Sequence, residues 1–472
     1  MPVPPRTPPG VLELLPPQQL AFQHMLDTIR RGFERFGFVP VETPVFELSD
    51  VLLTKTGGET EKQVYFVQST GALKQRHPGS GDAEVELGTY NHAEGRLLPE
   101  LALRFDLTVP LARYVAEHEA KLNFPFRRYQ IQRVYRGERN QKGRYREFYQ
   151  CDIDVIGKDA LPLAYDAEIP AVIHTIFREL AFGPFTIHIN NRKLLRGLLG
   201  AFDIADDRHE AVLHEIDRLG KQPRGEIEAR LAGEGFGLDR GAVAQLFDVL
   251  TGHAGDSRAA FAALRGLGRT SPALAEGTDD LERVYDGTLA LGVPERGLQV
   301  DLAIVRGLDY YTGTIYETLL DDHPRLGSIC SGGRYDNLAG HYTKSKLPGV
   351  GISIGATRLF AQLLEMNLIA ARPAVAHVLV LAVEPQLAAE CAGIAAELRG
   401  AGLNVEVYAG DDKLGRQLKY ADRSGVPLAA LYGSRERDAG IVKLKDLRAV
   451  AATKEHDVPR GELAARVRAL VG

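Results

Sequence analysis

Cysteine is scarce in this sequence, and its positions give no sign of a disulfide framework or a metal cluster. The 472 residues include three cysteines, Cys151, Cys330 and Cys391, which lie far apart and form no CxxC pair. Disulfide scaffolds and structural zinc sites rely on such pairs, so we expect neither, and no metal-ligating residues are predicted. Cys151 lies on the apolar side of a predicted strand, where a buried and unreactive thiol is expected.

Long hydrophobic runs are also missing. No apolar stretch approaches the roughly 20 residues that a membrane-spanning helix requires. The opening MPVPPRTPPG has neither the apolar core nor the cleavage pattern of a signal peptide. Residues 1–17 are therefore expected to form a flexible, proline-rich lead, and the protein is predicted to be cytoplasmic and not to contact a membrane.

Strong net charge and the common nucleotide-binding motifs are absent as well. The formal net charge is −5, so a nucleic acid would have to bind a locally basic surface. The sequence contains no GxxxxGK and no GxGxxG, which argues against a P-loop or a Rossmann nucleotide site. A nucleotide would therefore bind in another kind of site.

The stretch from Arg128 to Gly157 carries the clearest pattern. In its second half one set of alternate residues is apolar (Tyr149, Cys151, Ile153, Val155) and the other is polar (Gln150, Asp152, Asp154). A period of two residues predicts a β-strand. The polar face of such a strand is either solvated or lines a pocket.

The first half of the same stretch favours the pocket. Polar and charged side chains follow its length: Gln130, Gln132, Arg133, Arg136, Glu138 and Arg139. So many ionisable groups on two paired strands would oppose folding unless they met partners or ligands. The connecting loop, residues 137–145, is basic and suits contact with phosphate groups.

This stretch resembles a known motif. Arg136-Gly137-Glu138, followed by the basic loop and by GRYREFYQCDIDVIG, resembles motif 2 of the class II aminoacyl-tRNA synthetases, and most closely that of the histidyl-tRNA synthetases. The peptide RGLDYY, which begins at Arg306, is similar to a signature peculiar to the histidyl family.

Two further segments resemble the remaining motifs of this class. A helix at residues 18–36 and a strand interrupted by Pro44 resemble motif 1, which forms the dimer interface in class II enzymes. A strand at Val350–Ile354, which runs into a helix with Arg358 in its first turn, resembles motif 3. The resemblance thus implies a homodimer.

The resemblance implies roles in ATP binding and catalysis. Arg136 would hold the α-phosphate and Arg358 the γ-phosphate of a bent ATP. Arg306 would contact both the histidine carboxylate and the α-phosphate, and Glu138 the adenine amino group. Joining a carboxylate to an anionic phosphate requires fixed positive charge, which guanidinium groups supply. Mg²⁺ is expected to accompany ATP, the substrate.

By the same resemblance six residues bind histidine: Asp106, Thr108, Gln150, Asp154, Tyr310 and Tyr311. The first three would bind the α-ammonium group. A neutral imidazole has one donor and one acceptor, so a carboxylate and a phenol, here Asp154 and Tyr311, can recognise it. Asp106 has an alternative interpretation as a plain acid at a helix start, with Thr108 as the N-cap residue.

The expected architecture has three parts after the lead. Residues 18–192 and 299–368 would form an α+β class II catalytic domain, an antiparallel sheet with flanking helices. Residues 193–298 show short helices without strand signals and would form a helical insertion domain. From residue 375 to 472, strands alternate with amphipathic helices, which predicts a parallel or mixed sheet covered by helices. That region resembles the α/β anticodon-binding domain of related synthetases.

The resemblance implies a two-step reaction: ATP activates L-histidine to histidyl-adenylate, and the histidyl group is transferred to the 3′ end of tRNA(His). The alternative is a non-charging, synthetase-like regulatory paralogue that senses histidine or binds tRNA. Another class II synthetase and a pure RNA-binding module are further alternatives. The C-terminal α/β region and the intact Arg136, Arg306 and Tyr311 favour the enzyme.

Overall fold

The computed structural model describes most of the chain, in the stretches 3–53, 63–69, 99–137, 143–219, 222–253, 255–305, 311–337, 339–370, 374–410, 412–448 and 455–471. The chain forms two compact units. The first comprises Met1–Glu13 with Met25–Ile369, and the second comprises Leu14–His24 with Ala370–Gly472. No helix within the described stretches is long and apolar enough to cross a membrane.

An eight-stranded sheet forms the centre of the first unit. Its strands, in spatial order, are β1 (Val39–Pro40), β5 (Phe126–Tyr135), β6 (Glu147–Ile156), β11 (Gly349–Ile354), β10 (Cys330–Tyr335), β9 (Thr314–Leu320), β7 (Phe185–Asn191) and β8 (Leu298–Val300). Neighbours are antiparallel except in the pairs β1–β5 and β7–β8. The predicted antiparallel sheet is therefore confirmed.

Strand β6 has the alternation that the sequence predicts, but both of its faces are buried. From Gln150 to Ile156 every residue of the strand is withdrawn from solvent. The apolar residues face the core, whereas Gln150, Asp152 and Asp154 lie on the other face. This burial excludes the solvated alternative for the polar face and leaves the pocket.

Helix α1 (Pro16–Arg35) covers the large sheet from Met25 onwards, and α2 (Ser49–Leu53) packs against α3 (Thr108–His118). Helices α3, α4 (Ala164–Leu180) and, after β11, α11 (Ala356–Glu365) also flank the large sheet. Apolar residues at helical spacing between Ile169 and Leu180 predict an amphipathic helix, and this helix is part of α4. It buries Ile169, Val172, Ile173, Ile176 and Phe177 without exposure to solvent. Helix α1 begins two residues before the predicted start, and residues 3–15 contain neither helix nor strand.

A small second sheet precedes α3, and two predictions about this region are wrong. The sheet has the order β2 (Phe46–Leu48), β4 (Leu101–Leu103), β3 (Tyr65–Val67). The apolar pattern from Leu101 to Leu107 predicts one strand over these residues, but the strand ends at Leu103. Thr108 is not the N-cap of α3: Leu107 takes that position, and Asp106 accepts the hydrogen bond from the helix instead.

Six helices follow β7: α5 (Arg192–Ala201), α6 (His209–Ile216), α7 (Arg224–Ala232), α8 (Arg240–Thr251), α9 (Ser257–Gly266) and α10 (Pro272–Ala290). Capping side chains start four of them, namely Asn191, Asp239, Asp256 and Ser271. Helices α5 and α10 touch at glycines, because a Cβ on Gly197 would lie 2.2 Å from the Leu274 nitrogen. The predicted helical character is confirmed, and a separate insertion domain at 193–298 stays a prediction.

The second unit contains a five-stranded mixed sheet. Its order is β13 (Val405–Val407), β12 (Val378–Ala382), β14 (Leu428–Tyr432), β15 (Ile441–Asp446) and β16 (Glu455–Pro459). The first three strands are parallel and the last pairings antiparallel. The helices are α12 (Ala388–Gly400), α13 (Leu414–Ser424), α14 (Ser434–Ala439) and α15 (Leu463–Val471). Alternate residues of β12 enter two different cores, as expected for parallel strands covered on both faces.

A buried ion pair ties α4 to the large sheet. Arg334 on β10 donates from Nε to both carboxylate oxygens of Asp166, at 3.0 and 3.2 Å, and from a terminal nitrogen at 2.5 Å. The same terminal nitrogen donates to the Leu161 carbonyl at 2.9 Å. The Asp166 side chain is fully buried. Because both charges are out of water, each depends on the other for its stability.

We expect Asp166→Ala to lower the free energy of unfolding by about 3–5 kcal/mol, because it leaves the Arg334 guanidinium buried without its partner. Urea denaturation measures the change. Asp279→Ala is the matched control, since Asp279 pairs with Arg265 on the surface, where an ion pair contributes about 0–1 kcal/mol. The double variant Asp166→Leu, Arg334→Met should recover part of the loss. A loss below about 1 kcal/mol for Asp166→Ala would contradict this account.

Candidate active site

One cleft of about 530 Å³ in the first unit collects most of the predicted site residues. It is lined by β6, β10 and β11, by the start of α3 and by the first turns of α11. Seven of the residues predicted from the sequence line it: Asp106, Thr108, Arg136, Gln150, Asp154, Tyr311 and Arg358. The remaining three, Glu138, Arg306 and Tyr310, lie outside the described residues.

Asp106 accepts a hydrogen bond from the start of α3 and also lines the cleft. Its Oδ1 accepts a hydrogen bond from the Val109 backbone N–H at 3.1 Å, so the interpretation as an acid at a helix start is correct. Burial raises the pKa of Asp106 to about 6, although this N–H and the nearby Arg136 and Arg128 act in the opposite direction. Thr108, two residues on, is only partly buried.

Gln150 is oriented by the neighbouring strand. Its Nε2 donates to the Ser353 hydroxyl on β11 at 2.8 Å. Its carbonyl oxygen is buried and has no hydrogen-bond partner among the described residues. A buried acceptor without a donor costs free energy, so the arrangement suits a ligand that donates a hydrogen bond.

Asp152 was placed on the polar strand face by the sequence but was not predicted as a site residue. It lines the cleft, and its Oδ1 is buried without a partner in the described part of the chain. Burial raises its pKa to about 7. Arg128 and the Ser353 hydroxyl lower the pKa, whereas Asp154 and Asp106 raise it. The signal that could have identified it was the i, i+2 spacing from Gln150 and Asp154.

Asp154 is held by two buried partners. Its Oδ2 forms an ion pair with Arg128 at 2.5 Å, and its Oδ1 accepts a hydrogen bond from the Tyr335 hydroxyl at 3.0 Å. Burial raises the pKa of Asp154, while Arg128 and then the Tyr335 hydrogen bond lower it. Arg128 has no exposed surface and lies directly opposite Asp154 in the β5–β6 register. Sequence reasoning missed both partners, because neither belongs to β6.

The cleft also gathers positive charge from two elements. Arg136 follows β5; its Nε donates to the Phe105 carbonyl at 2.9 Å, and its guanidinium lies 5.2 Å from the Phe148 ring centre. Arg358 is exposed in the first turn of α11, and one terminal nitrogen donates to the Leu326 carbonyl at 3.0 Å. The two arginines, which the sequence assigned to separate motifs, therefore line one cleft.

The paired glycines of SGGRYD, residues 331–336, predict a turn that permits close backbone approach, and the turn is wrong. Residues 330–335 form strand β10 in the middle of the sheet. The close approach is present within this strand. A Cβ on Gly332 would lie 2.1 Å from the Gly351 carbonyl oxygen, and one on Gly333 would lie 2.9 Å from the Tyr311 ring. The glycines thus leave room for Tyr311 beside the cleft.

Comparisons with known proteins agree with this geometry. The family model described as Histidyl-tRNA synthetase matches residues 93–359, and the Anticodon binding domain model matches residues 377–470. The histidine--tRNA ligase of Xanthomonas campestris pv. campestris is 55% identical over 473 residues, which cover 98% of this chain and 96% of that protein.

Two solved structures are similar in fold. The histidyl-tRNA synthetase from Nostoc sp. PCC 7120 has a TM-score of 0.86 and 36% identity, and covers 99% of each chain. A Bacillus halodurans protein described as an ATP phosphoribosyltransferase regulatory subunit/histidyl-tRNA synthetase has a TM-score of 0.70 and 19% identity, and covers 89% of this chain and 97% of that chain. At 19% identity this likeness shows the fold alone.

We expect Asp152→Asn to stabilise the unliganded protein more at about pH 8 than at about pH 5.5. Burial raises the Asp152 pKa from its ordinary 3.8 to about 7. As the pH rises through this interval, the unfolded chain loses the proton first, so the carboxylate makes the folded state progressively less stable. Asparagine has no proton to lose. The effect is on the order of a few kcal/mol, since one pKa unit corresponds to about 1.4 kcal/mol.

The measurement is the melting temperature of variant and wild type at both pH values. The groups that face Asp152 are Arg128, Asp106, Asp154, Ser353 and the uncharged thiol of Cys330. Asp279→Asn, at an exposed position, controls for a simple change of surface charge. A stabilisation by Asp152→Asn that does not vary with pH would show that Asp152 is not the titrating group.

Proposed function

This chain belongs to the histidyl-tRNA synthetase family and catalyses that family's reaction, and we propose the roles that its residues take in it. The enzyme activates L-histidine with ATP to histidyl-adenylate and transfers the histidyl group to the 3′ end of tRNA(His). The observation that supports these roles most directly is a single cleft in which buried carboxylates and an amide lie together with three arginines, Arg136, Arg144 and Arg358. Such a cleft suits a zwitterionic amino acid beside a phosphate.

The regulatory alternative is not favoured. The distant Bacillus halodurans neighbour shares the fold, and a shared fold does not decide the activity. Two features separate this chain from a non-charging paralogue. It matches an anticodon-binding model over residues 377–470, and it is 55% identical over nearly its whole length to a histidine--tRNA ligase.

For the phosphates, we propose Arg136 at the α-phosphate and Arg358 at the γ-phosphate. The Phe105 carbonyl and the Phe148 ring hold the Arg136 guanidinium in place, so little reorganisation is needed as charge develops. Arg358 lies in the first turn of a helix, where the macrodipole adds to its attraction for an anion. Arg306 and Glu138 keep their proposed roles from the sequence, and Mg²⁺ would enter with ATP.

For histidine, we propose that Asp106, Thr108 and Gln150 bind the α-ammonium group and that Asp154, Tyr310 and Tyr311 recognise the imidazole. Arg128 favours the ionised form of Asp154, so this carboxylate would accept the hydrogen bond of an imidazole N–H. Tyr335 fixes its orientation by donating to the other oxygen. A fixed carboxylate discriminates between ligands better than a mobile one, because a wrong ligand leaves it unpaired.

We further propose that the second unit recognises the anticodon of tRNA(His) and that the helical segment at 193–298 contacts the acceptor arm. The reaction would take place in the cytoplasm, where histidine, ATP and tRNA(His) are available. On α13 and just before it, Lys413, Arg416 and Lys419 are exposed. Arg416 forms an ion pair with Asp412 at 2.9 Å, with 80% of its side chain exposed, and is therefore free to exchange this partner for a phosphate.

The roles of the arginines can be tested by histidine-dependent exchange of pyrophosphate into ATP. Of the amino acids, histidine alone should support the exchange. Arg136→Ala should lower the exchange rate by about 10²–10³, because a preorganised donor to the transition state is lost. We expect the same range for Arg306→Ala, with partial recovery for lysine at either position. Arg265→Ala, in a surface ion pair, is the control. Exchange supported by several amino acids would contradict the proposed specificity, and loss of less than about threefold would contradict the arginine roles.

A homodimer is proposed from an exposed apolar face. Phe46 and Leu48 point to one side of β2. Leu101, on the neighbouring strand β4, pairs with Leu48, so all three residues lie on the same face of the small sheet. Their exposures are 51%, 43% and 38%. Val39 and Val45, nearby in the same motif, are also exposed. A contiguous apolar face of this kind is typical of a subunit interface.

We expect the wild type to have twice the chain mass of 51.6 kDa in solution, and Phe46→Glu with Leu48→Glu to shift it towards the monomer. Light scattering coupled to gel filtration gives the mass. Leu291→Glu is the matched control, because Leu291 is an exposed leucine (53%) in another part of the first unit. A wild type that is monomeric and fully active at micromolar concentration would contradict the proposal.

A further inference from the structure

Two buried acceptor atoms on β6 lack hydrogen-bond partners among the described residues. They are Oε1 of Gln150 and Oδ1 of Asp152, in side chains that are more than nine-tenths buried and that line the cleft. The two residues are separated by one position, so they lie on the same face of the strand. Two adjacent acceptors without donors suit a ligand that brings several donors at once.

The same place has more negative than positive charge. Asp154 raises the pKa of both Asp106 and Asp152, and Asp106 raises that of Asp152; Arg128, which forms an ion pair with Asp154, is the cation that acts on all three. Arg136 acts on Asp106. Asp152 therefore has no cation of its own within the described residues that line the cleft. A small ligand with positive charge and three donors would satisfy both deficits.

We propose that Asp152 binds the α-ammonium group of histidine, as a third acceptor beside Asp106 and Gln150. This inference rests on the proposed function and adds a residue to it. An ammonium group has three N–H donors, and these three side chains offer three acceptor oxygens. Thr108, which shares the subsite, is partly exposed and uncharged, so the charge of the ammonium group is balanced by the carboxylates.

The order of residues along β6 agrees with this assignment. Gln150, Asp152 and Asp154 lie at intervals of two residues on the same face, over about 13 Å of strand. Asp154, at one end of this row, is the residue proposed for the imidazole. In histidine the α-carbon with its ammonium group is separated from the ring by one methylene group. A ligand laid along the strand with its ring at Asp154 thus presents its ammonium group at Asp152 and Gln150.

The test compares two ligands that both carry the imidazole. Histidinol has the ammonium group and lacks the carboxylate, whereas 3-(imidazol-4-yl)propionate has the carboxylate and lacks the ammonium group. In the full-length protein, Asp152→Asn should weaken histidinol about 10- to 100-fold, the range for loss of a hydrogen bond to a charged group, and should leave imidazolylpropionate unchanged or tighter. Dissociation constants are measured by calorimetry, with Asp279→Asn as the matched control.

The outcomes separate this inference from the proposed function. A wild type that binds neither histidinol nor histidine contradicts the function itself. A wild type that binds both, with an Asp152→Asn variant that binds histidinol equally well, contradicts only the role of Asp152. An equal loss for both ligands also overturns the inference, because it would indicate a contact with the ring or a change in the fold.

A second measurement remains informative if Asp152→Asn does not fold. In the wild type, the ratio of the imidazolylpropionate and histidinol dissociation constants should rise between about pH 6 and about pH 8, as Asp152 loses its proton and attracts the ammonium group. Each dissociation constant is first corrected for the neutral-imidazole fraction of its ligand, because the positive ammonium group lowers the imidazole pKa of histidinol below that of imidazolylpropionate. Of the groups that face Asp152, Asp106 has a pKa raised only to about 6, so it titrates mainly at the lower end of this interval. A ratio that does not change with pH would overturn the proposal.

Discussion

The ion pair between Arg128 and Asp154 is the interaction on which the cleft depends. Two full charges lie almost out of water on adjacent strands, and such a pair is stable only in good geometry with further hydrogen bonds. Here the geometry comes from direct pairing in the β5–β6 register, and Tyr335 adds a hydrogen bond. A slip of one residue between these strands would turn the charged face into the core, so the pair and the register stabilise each other.

The cleft has its chemical character because the charges around this pair do not balance. One guanidinium stabilises Asp154, and two further carboxylates, Asp106 and Asp152, have their pKa raised by burial and by Asp154. Without a ligand, protonation removes part of this negative charge, because the pKa is raised to about 6 for Asp106 and to about 7 for Asp152. A protein that keeps such groups buried accepts a cost in stability for a site that is ready for a cation.

The sequence predicted well whatever depends on local periodicity. The two faces of β6, the amphipathic α4 and the mixed sheet of the second unit follow from patterns of two and 3.6 residues. It predicted poorly what depends on distant pairing. Local rules assign a Gly-Gly pair to a turn, yet in β10 the glycines make room for Tyr311 and for β11. Arg128 and Tyr335 lie on other strands, so the partners of Asp154 are set by register between elements far apart in sequence.

The register also accounts for the direction in which a substrate would lie. The Arg136 backbone N–H donates to the Arg146 carbonyl, which places Arg136 level with the start of β6, about 20 Å of strand from Asp152. Side chains from both ends reach into the same cleft. The carboxylates of Asp152 and Asp154 and the Arg136 guanidinium therefore line different parts of the cleft, and under the proposed roles a zwitterionic amino acid would lie with its carboxylate towards the arginine. In that orientation its carboxylate would meet a phosphate bound at Arg136, as the proposed reaction requires.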